Sequence, residues 1–348
     1  MSDAREPLLD VRDLHVAFGL PRGVAGTLRR RPRLQARAVD GVSLQLQAGE
    51  MLALVGESGC GKSTTSLSIL RLVAPTSGSI RLNGEDITSA SAGELRRLRR
   101  RMQLIYQDPY QSLNPRLRVR DAVAEPLVVH GVRDDRVGRV TRALEAAGLT
   151  PPETFLDRRP HELSGGQRQR VAIAASLVLD PELLVADEPV SMLDVSVRAG
   201  VLRVLDGLRQ RGIGILMITH DLSTAAQFAD RIAVMYLGRI VEEGPAREVI
   251  EHPRHPYTAA LVSVVPDPDP HHLGQRQVLT GETPDATRIP SGCRFHPRCP
   301  VRLESCSELD QPLEPARGAV AGHRAACVHA REGSPAGDAG TTRAAASP

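Results

Sequence analysis

Eight consecutive residues, Gly56-Glu57-Ser58-Gly59-Cys60-Gly61-Lys62-Ser63, carry the spacing GxxxxGK[ST] and run on into Thr64. The chemistry of that spacing is the holding of a polyphosphate. Its glycines let successive backbone N–H groups turn toward an anion, and a helix beginning at the loop adds its positive end. Lys62 is the single lysine of the chain, so the 44 Lys and Arg residues comprise one lysine and 43 arginines. A compact ammonium reaches β- and γ-phosphates as a point charge, where arginine's planar fork does not fit the same cradle. Ser63 offers a hydroxyl to Mg2+. The run "LLVAD" followed by Glu188 sets two carboxylates at the end of an apolar stretch. There Asp187 would hold Mg2+, directly or through water, and Glu188 would polarise an attacking water as general base.

These groups need rigid elements behind them. "SLQLQAGEMLALVGES" (43–58) reads as a strand, a turn at Ala48-Gly49 and a buried strand that ends on the glycine-rich loop. Helical spacing over Thr64–Val73 follows, stopped by "APTSG". "ELLVADEP" (182–189) and "GIGILMITHD" (212–221) are apolar runs of the length of buried parallel strands, with a helical pattern over 195–210 between them. This predicts an α/β fold around a mostly parallel sheet. Charged, helix-prone sequence over about 90–162 predicts an inserted helical lobe, and the basic stretch 21–37 a solvated surface insertion. Prolines crowd in after 251, and 333–348 has the composition of a disordered tail.

Composition narrows the function classes. At 348 residues the chain allows a main domain with an appendage, and the 41% hydrophobic content, with no Trp, four Phe and four Tyr, predicts an aliphatic core. A net charge of +3 is too small to indicate nucleic acid by itself. The opening "MSDAREPLLDVRDLHVAFGL" has acids every few residues where a secretory signal needs an apolar segment, and no run of apolar residues is long enough to span a bilayer. The expectation is a cytosolic protein, whose five cysteines face reducing conditions.

The string "LSGGQRQR" (163–170) adds a second glycine-rich helix start, a device whose free N–H groups meet an anion. Together with the motifs above it resembles the ABC-transporter ATPase family, whose signature is LSGGQ. Gln107 in "LIYQDP", Asp194 in "SMLD" and His220 after "LMITH" match the same family in its order. The resemblance implies a P-loop NTPase (RecA-like) core with an antiparallel β subdomain and an inserted helical subdomain. It also implies ATP and Mg2+ as ligands, and ATP hydrolysis by a head-to-tail dimer. In that dimer Ser164, Gly165, Gly166 and Gln167 of one chain close over the γ-phosphate held by the partner's loop, which includes Glu57, Ser58, Cys60 and Thr64. Gln107 would sense γ-phosphate and Mg2+, His220 would contact the γ-phosphate, and Asp194 would communicate between the two sites. A lone strand-end histidine is more often a satisfied core group; the motif reverses that for His220. Phe18, after "LHVAF", is the candidate adenine-stacking aromatic, with a core position as its alternative. Met192 stands where the family usually has Ala.

Coiled-coil arms and a second ATPase domain, marks of other ABC proteins, are absent from the sequence. "YQDPYQSLNPR" (106–116), "HPYTAALVSVVPDPDP" and "PSGCRFHPRCP" resemble the oligopeptide/dipeptide branch of importer ATPases. The resemblance implies an ABC ATPase domain over 8–250 and a branch-specific C-terminal extension over 251–332. Implied partners are two transmembrane permeases, a second ABC ATPase, preferably a different chain, and indirectly an extracytoplasmic solute-binding protein. The implied location is peripheral, on the cytoplasmic face of the inner membrane, and nucleic acid is not an expected partner. A reading of another class, a soluble regulatory or nucleic-acid-linked ABC ATPase, would use the arginines of 29–37 and 96–101 as a binding face. Cys293, Cys299, Cys306 and Cys327 could ligate an iron–sulfur cluster or, less naturally, zinc; reduced thiols and disulfides are the alternatives. Cys60 serves as a small residue in the loop.

Overall fold

The computed structural model describes residues 6–19, 35–265, 279, 281–282 and 284–332. Most of the basic insertion (20–34) and the tail 333–348 lie outside the described residues. The chain forms strands β1 (Leu9–Gly19), β2 (Gln35–Leu46), β3 (Met51–Val55), β4 (Ser77–Leu82), β5 (Glu85–Asp86), β6 (Met102–Ile105), β7 (Leu183–Asp187) and β8 (Gly214–Thr219). Beyond them come β9 (Arg231–Tyr236), β10 (Arg239–Pro245), β11 (Glu314–Pro315) and β12 (Arg324–Ala325). Two compact units share these elements: one of residues 1–14, 43–53 and 63–219, the other of 15–42, 54–62 and 220–348.

In the first unit, β6, β7 and β8 run parallel, with Ile105 opposite Ala186 and Asp187 opposite Ile218. β3 lies on the far side of β8, where the Ile215 N–H donates to Glu50 O at 2.8 Å. Every residue of β3 and β8 is buried, as are Leu183–Ala186 of β7, which is why these strands read as unbroken apolar runs. β2 instead alternates, burying Val42, Leu44 and Leu46 between exposed neighbours, as a strand with one wet face should. It belongs with β1, β4 and β5 to a separate sheet in which β4 and β5 are antiparallel.

The helix after the glycine-rich loop spans Lys62–Ile69, so it begins two residues before and ends four residues before the predicted Thr64–Val73. The predicted 195–210 helix is present as Val195–Gln210. Within the stretch expected to be helical, helices Ala92–Leu98, Val119–Val129 and Arg136–Ala146 do form, but β6 lies among them. Its Met102 and Ile105 are buried behind the run of arginines that suggested a helix. Arg101 explains the register: its backbone O accepts the Glu182 and Leu183 N–H groups, and its guanidinium takes both Glu182 carboxylate oxygens at 2.8 and 3.1 Å. Helices Val119–Val129 and Arg136–Ala146 pack on a third, Gly165–Leu177.

The second unit is built on the β9–β10 hairpin, whose two-residue turn has positive φ at both Leu237 (42°) and Gly238 (81°). β12 pairs with β10 and β11 with β12, all antiparallel. Although the chain is poor in aromatics, this unit gathers a ring cluster. Tyr236 lies 4.7 Å from Tyr257 and 5.3 Å edge-on from Phe295, centroid to centroid, and all three are fully buried. Two adjacent buried acids in β10 are fully partnered. Glu242 accepts the backbone N–H groups of Arg254 and His255 at 2.7 and 2.8 Å and faces His323 Nε2 at 2.7 Å, while Glu243 pairs with Arg231 and Arg324. Among the described residues no helix is long and apolar enough to cross a membrane.

Candidate functional site: a phosphate loop and its carboxylates

The second unit holds the loop up to Lys62. Lys62 is buried, and its Nζ donates to Gly56 O at 2.7 Å and Glu57 O at 2.9 Å. Glu57 O also takes the Cys60 N–H at 3.3 Å, and Cys60 O takes the N–H of Gly238 from the β9–β10 turn at 2.8 Å. The loop is thus wound around the ammonium and stitched to the hairpin. Two of its three glycines leave no space for a side chain. A Cβ on Gly56 would stand 2.2 Å from Met235 O, and one on Gly61, whose φ is 109°, would stand 2.1 Å from Ala38 O. Cys60 fits as the small buried residue expected, and burial pushes its thiol up from the ordinary value. Phe18 closes β1 at 45% exposure, which removes the core reading of that aromatic. His220 is exposed one residue past β8, immediately before Asp221, which caps the next helix through the Ser223 and Thr224 N–H groups.

The first unit holds Ser63 onward. Ser63 Oγ lies 3.4 Å from Asp187 Oδ1 at the C-terminal end of β7, and Gln107 Nε2 donates to Glu188 Oε2 at 2.8 Å. The structure therefore brings Ser63 to Asp187 and Gln107 to Glu188, two pairs some eighty residues or more apart in sequence. Glu188 is held in the left-handed region at φ 45°, with its N–H on Ile218 O at 2.9 Å and its C=O accepting Ser191 Oγ at 3.1 Å. Beside Asp187 and Gln107 opens a cavity of about 620 Å³, lined also by Tyr106, Asp108, Ser112 and Met192. The oxygens of Ser63, Asp187 and Gln107 are the hard donors that Mg2+ takes, and the cavity leaves room for phosphate and water, so the residues present fit the ion.

Also in the first unit, Ser164 N-caps helix Gly165–Leu177 in a reciprocal box. Its Oγ accepts the Gln167 N–H at 3.3 Å, and Gln167 Oε1 accepts the Ser164 N–H at 3.0 Å. Gly166 faces Val197, where a Cβ would come within 2.2 Å of Cγ1. Val197 lies one turn into helix Val195–Gln210, whose N-cap is Asp194, so the signature and the Asp194 loop meet at a glycine. Asp194 is exposed, and Met192, the departure from the usual Ala, is 61% exposed.

Sequence motifs match known proteins along most of the chain. Residues 39–191 match the ABC transporter family model, and residues 241–306 match the model of the C-terminal region of oligopeptide/dipeptide transporters. The oligopeptide transport ATP-binding protein OppF of Salmonella typhimurium is 43% identical over 318 residues, covering 90% of this chain and 94% of that protein. The chain belongs to the ATP-binding subunits of ABC transporters, in their oligopeptide/dipeptide branch. It is an ATPase of that family. Among solved structures, a dimeric ATP-binding cassette, MJ0796, in a post-hydrolysis state bound to ADP and Pi matches at 27% identity and TM-score 0.59, covering 69% of this chain and 99% of that one. The cassette cbiO1 of Clostridium perfringens, part of the cbiONQ transporter complex, matches at 29% identity and TM-score 0.60, covering 70% of this chain and 91% of that one.

The iron–sulfur reading of Cys293, Cys299, Cys306 and Cys327 finds no support: all five cysteines are free thiols, and among the described residues no three His, Cys, Asp or Glu side chains are arranged to hold a metal. Burial pushes Cys293 up, Cys299 up to about 12 and Cys327 up to about 11. Cys327 packs with Ala316, Ala325 and Ala330 as a small apolar residue. Sequence reasoning missed the residues that back the loop, Tyr257 and Arg298. Both sit inside the quoted tail strings, and their one signal was an aromatic and a basic residue placed among prolines and cysteines.

Proposed function

We propose that this ATPase powers peptide import through two separate membrane permeases. It would sit peripherally on the cytoplasmic face of the inner membrane and act as one half of a dimer of two ABC ATPases, with a solute-binding protein delivering cargo from outside. The match of residues 241–306 to the oligopeptide/dipeptide C-terminal region carries the peptide reading. In the proposed division of the chain, 8–250 is the ATPase domain, with its helical subdomain over about 90–162, and 251–332 is the branch-specific extension.

Within one catalytic cycle Lys62 and the loop N–H groups of 56–64 bind the β- and γ-phosphates of ATP, and Phe18 stacks on adenine. Ser63, Asp187 and Gln107 would hold Mg2+, which would supply charge neutralisation on those phosphates. Gln107 holds the Glu188 carboxylate in place, as its 2.8 Å bond supports, and Glu188 takes the proton of the attacking water as general base. His220 contacts the γ-phosphate. Ser164, Gly165, Gly166 and Gln167 of the partner chain close the site from the opposite side with a helix N-terminus, and Asp194 links the two sites. Turnover therefore requires the closed dimer.

The test is purification of the chain with the permease pair encoded beside it, followed by reconstitution in liposomes with the cognate binding protein. Peptide-stimulated ATP hydrolysis supports the reading. DNA binding with a steep salt dependence, and no association with permeases, would replace it with the nucleic-acid-linked alternative.

A further inference from the structure

Glu57 places a carboxylate inside a loop whose task is to attract phosphate, and the second unit clamps all of that residue's polar groups. Its backbone N–H donates to the Tyr257 hydroxyl oxygen at 2.9 Å, and its C=O accepts Lys62 Nζ at 2.9 Å. Its carboxylate takes both arms of the Arg298 guanidinium, Nη1 to Oε2 at 2.9 Å and Nη2 to Oε1 at 3.2 Å. The Arg298 side chain is 8% exposed against 25% for Glu57, and its guanidinium carbon stands 5.9 Å from the centroid of the Tyr236 ring. Three residues earlier in the chain, buried Phe295 packs on Tyr236 and Tyr257. Arg294, also buried, binds Leu237 O and Asp40. The segment 294–298 is thus fastened beneath the loop at several points, and Arg298 ties it to the loop's own acid.

We propose that Arg298 is a positioning residue of the nucleotide site: it neutralises and orients Glu57, so that the C-terminal extension sets the loop's affinity for polyphosphate. Without it the Glu57 carboxylate loses its bidentate countercharge in the phosphate loop, and like charges in a partly buried site repel strongly. The bidentate fork also fixes the Glu57 side chain in one direction, which a lysine at 298 cannot do. The inference rests on the reading of 56–63 as the phosphate loop.

The test uses the full-length chain and calorimetric titration with ATP, ADP and AMP, beside thermal melts. Arg298→Ala is expected to weaken ATP binding about tenfold, with a smaller loss for ADP and least for AMP, because the repulsion scales with phosphate charge. Arg298→Lys should fall between Ala and the natural residue. In a Glu57→Gln background, Arg298→Ala should cost little more, since there is no charge left to neutralise. An unchanged ATP affinity in Arg298→Ala, an equal loss for all three nucleotides, or an undiminished loss in the Glu57→Gln background would each overturn the proposal. Lys62→Ala separates the two readings: loss of ATP binding upholds the phosphate loop, and undiminished binding overturns that reading and this proposal together.

Discussion

Replacing Lys62 with arginine keeps the charge and changes only its shape. In the structure the ammonium sits in a nearly closed pocket at 6% exposure, with its donors on Gly56 O and Glu57 O at 2.7 and 2.9 Å. Hydrogen bonds to a charged group contribute about 1.5–3 kcal/mol each, so losing the fit to two acceptors removes roughly 3 kcal/mol or more. The loop has little room to retreat, because even a Cβ on Gly56 or Gly61 would come within 2.2 Å of Met235 O or 2.1 Å of Ala38 O. A larger head group therefore adds overpacking on the order of 1–3 kcal/mol. If the same two donors move to the phosphates in the transition state, about 3 kcal/mol is roughly a 150-fold fall in kcat/KM. Phosphate release by the purified chain, assembled with its partners, measures this, and a thermal melt verifies that the variant folds. A folded Lys62→Arg protein hydrolysing ATP within about threefold of the natural chain would show that the fit of the ammonium is not what the loop requires.

Glu188→Gln keeps the hydrogen-bond geometry at the end of β7 but removes the base. It is expected to lower turnover at least about 100-fold while ATP still binds and holds the dimer together, read by light scattering with ATP present; unchanged turnover would take Glu188 out of its role. Burial lowers the His255 pKa from 6.5 to about 3, and neutral Nδ1 accepts the Tyr257 N–H at 3.1 Å as a helix cap. A lowered folded-state pKa means the unfolded chain binds the extra proton, so this contribution is complete above pH 6.5 and is lost as pH falls toward 3. The loss approaches about 1.4 kcal/mol per pH unit within that window. Denaturant midpoints of His255→Asn, which keeps a capping acceptor, should fall less steeply between those limits, and parallel curves would refute the assignment.

The carboxylates, the lysine loop and the signature were legible because their chemistry depends on local spacing. Five residues of buried β3 end on the glycines, and Ser164 and Gln167 are three apart, the separation a capping box needs. The buried strands were legible for a similar reason, since strands covered on both faces must be apolar throughout. β6 was not, because the arginines before it carry a helical pattern, and what makes it a strand is pairing with β7, about eighty residues away. The pairing of Gln107 with Glu188 and of Ser63 with Asp187 likewise required the strand ends to be aligned by the sheet. The four late cysteines show the opposite error. Their spacing permitted a cluster, but among the described residues no group is arranged to hold a metal, and Cys327 packs beside alanines.

Composition alone determined that a single lysine would stand in a chain of arginines, and the local motif supplied the role proposed for it. Only the tertiary structure decided what stands behind it. Glu57 lies inside the loop, but its partners Tyr257 and Arg298 come two hundred residues or more later, carried there by the β9–β10 hairpin and the aromatic cluster. Contacts at that range leave no periodicity to read. They arise because a buried charge must find a partner wherever the fold supplies one.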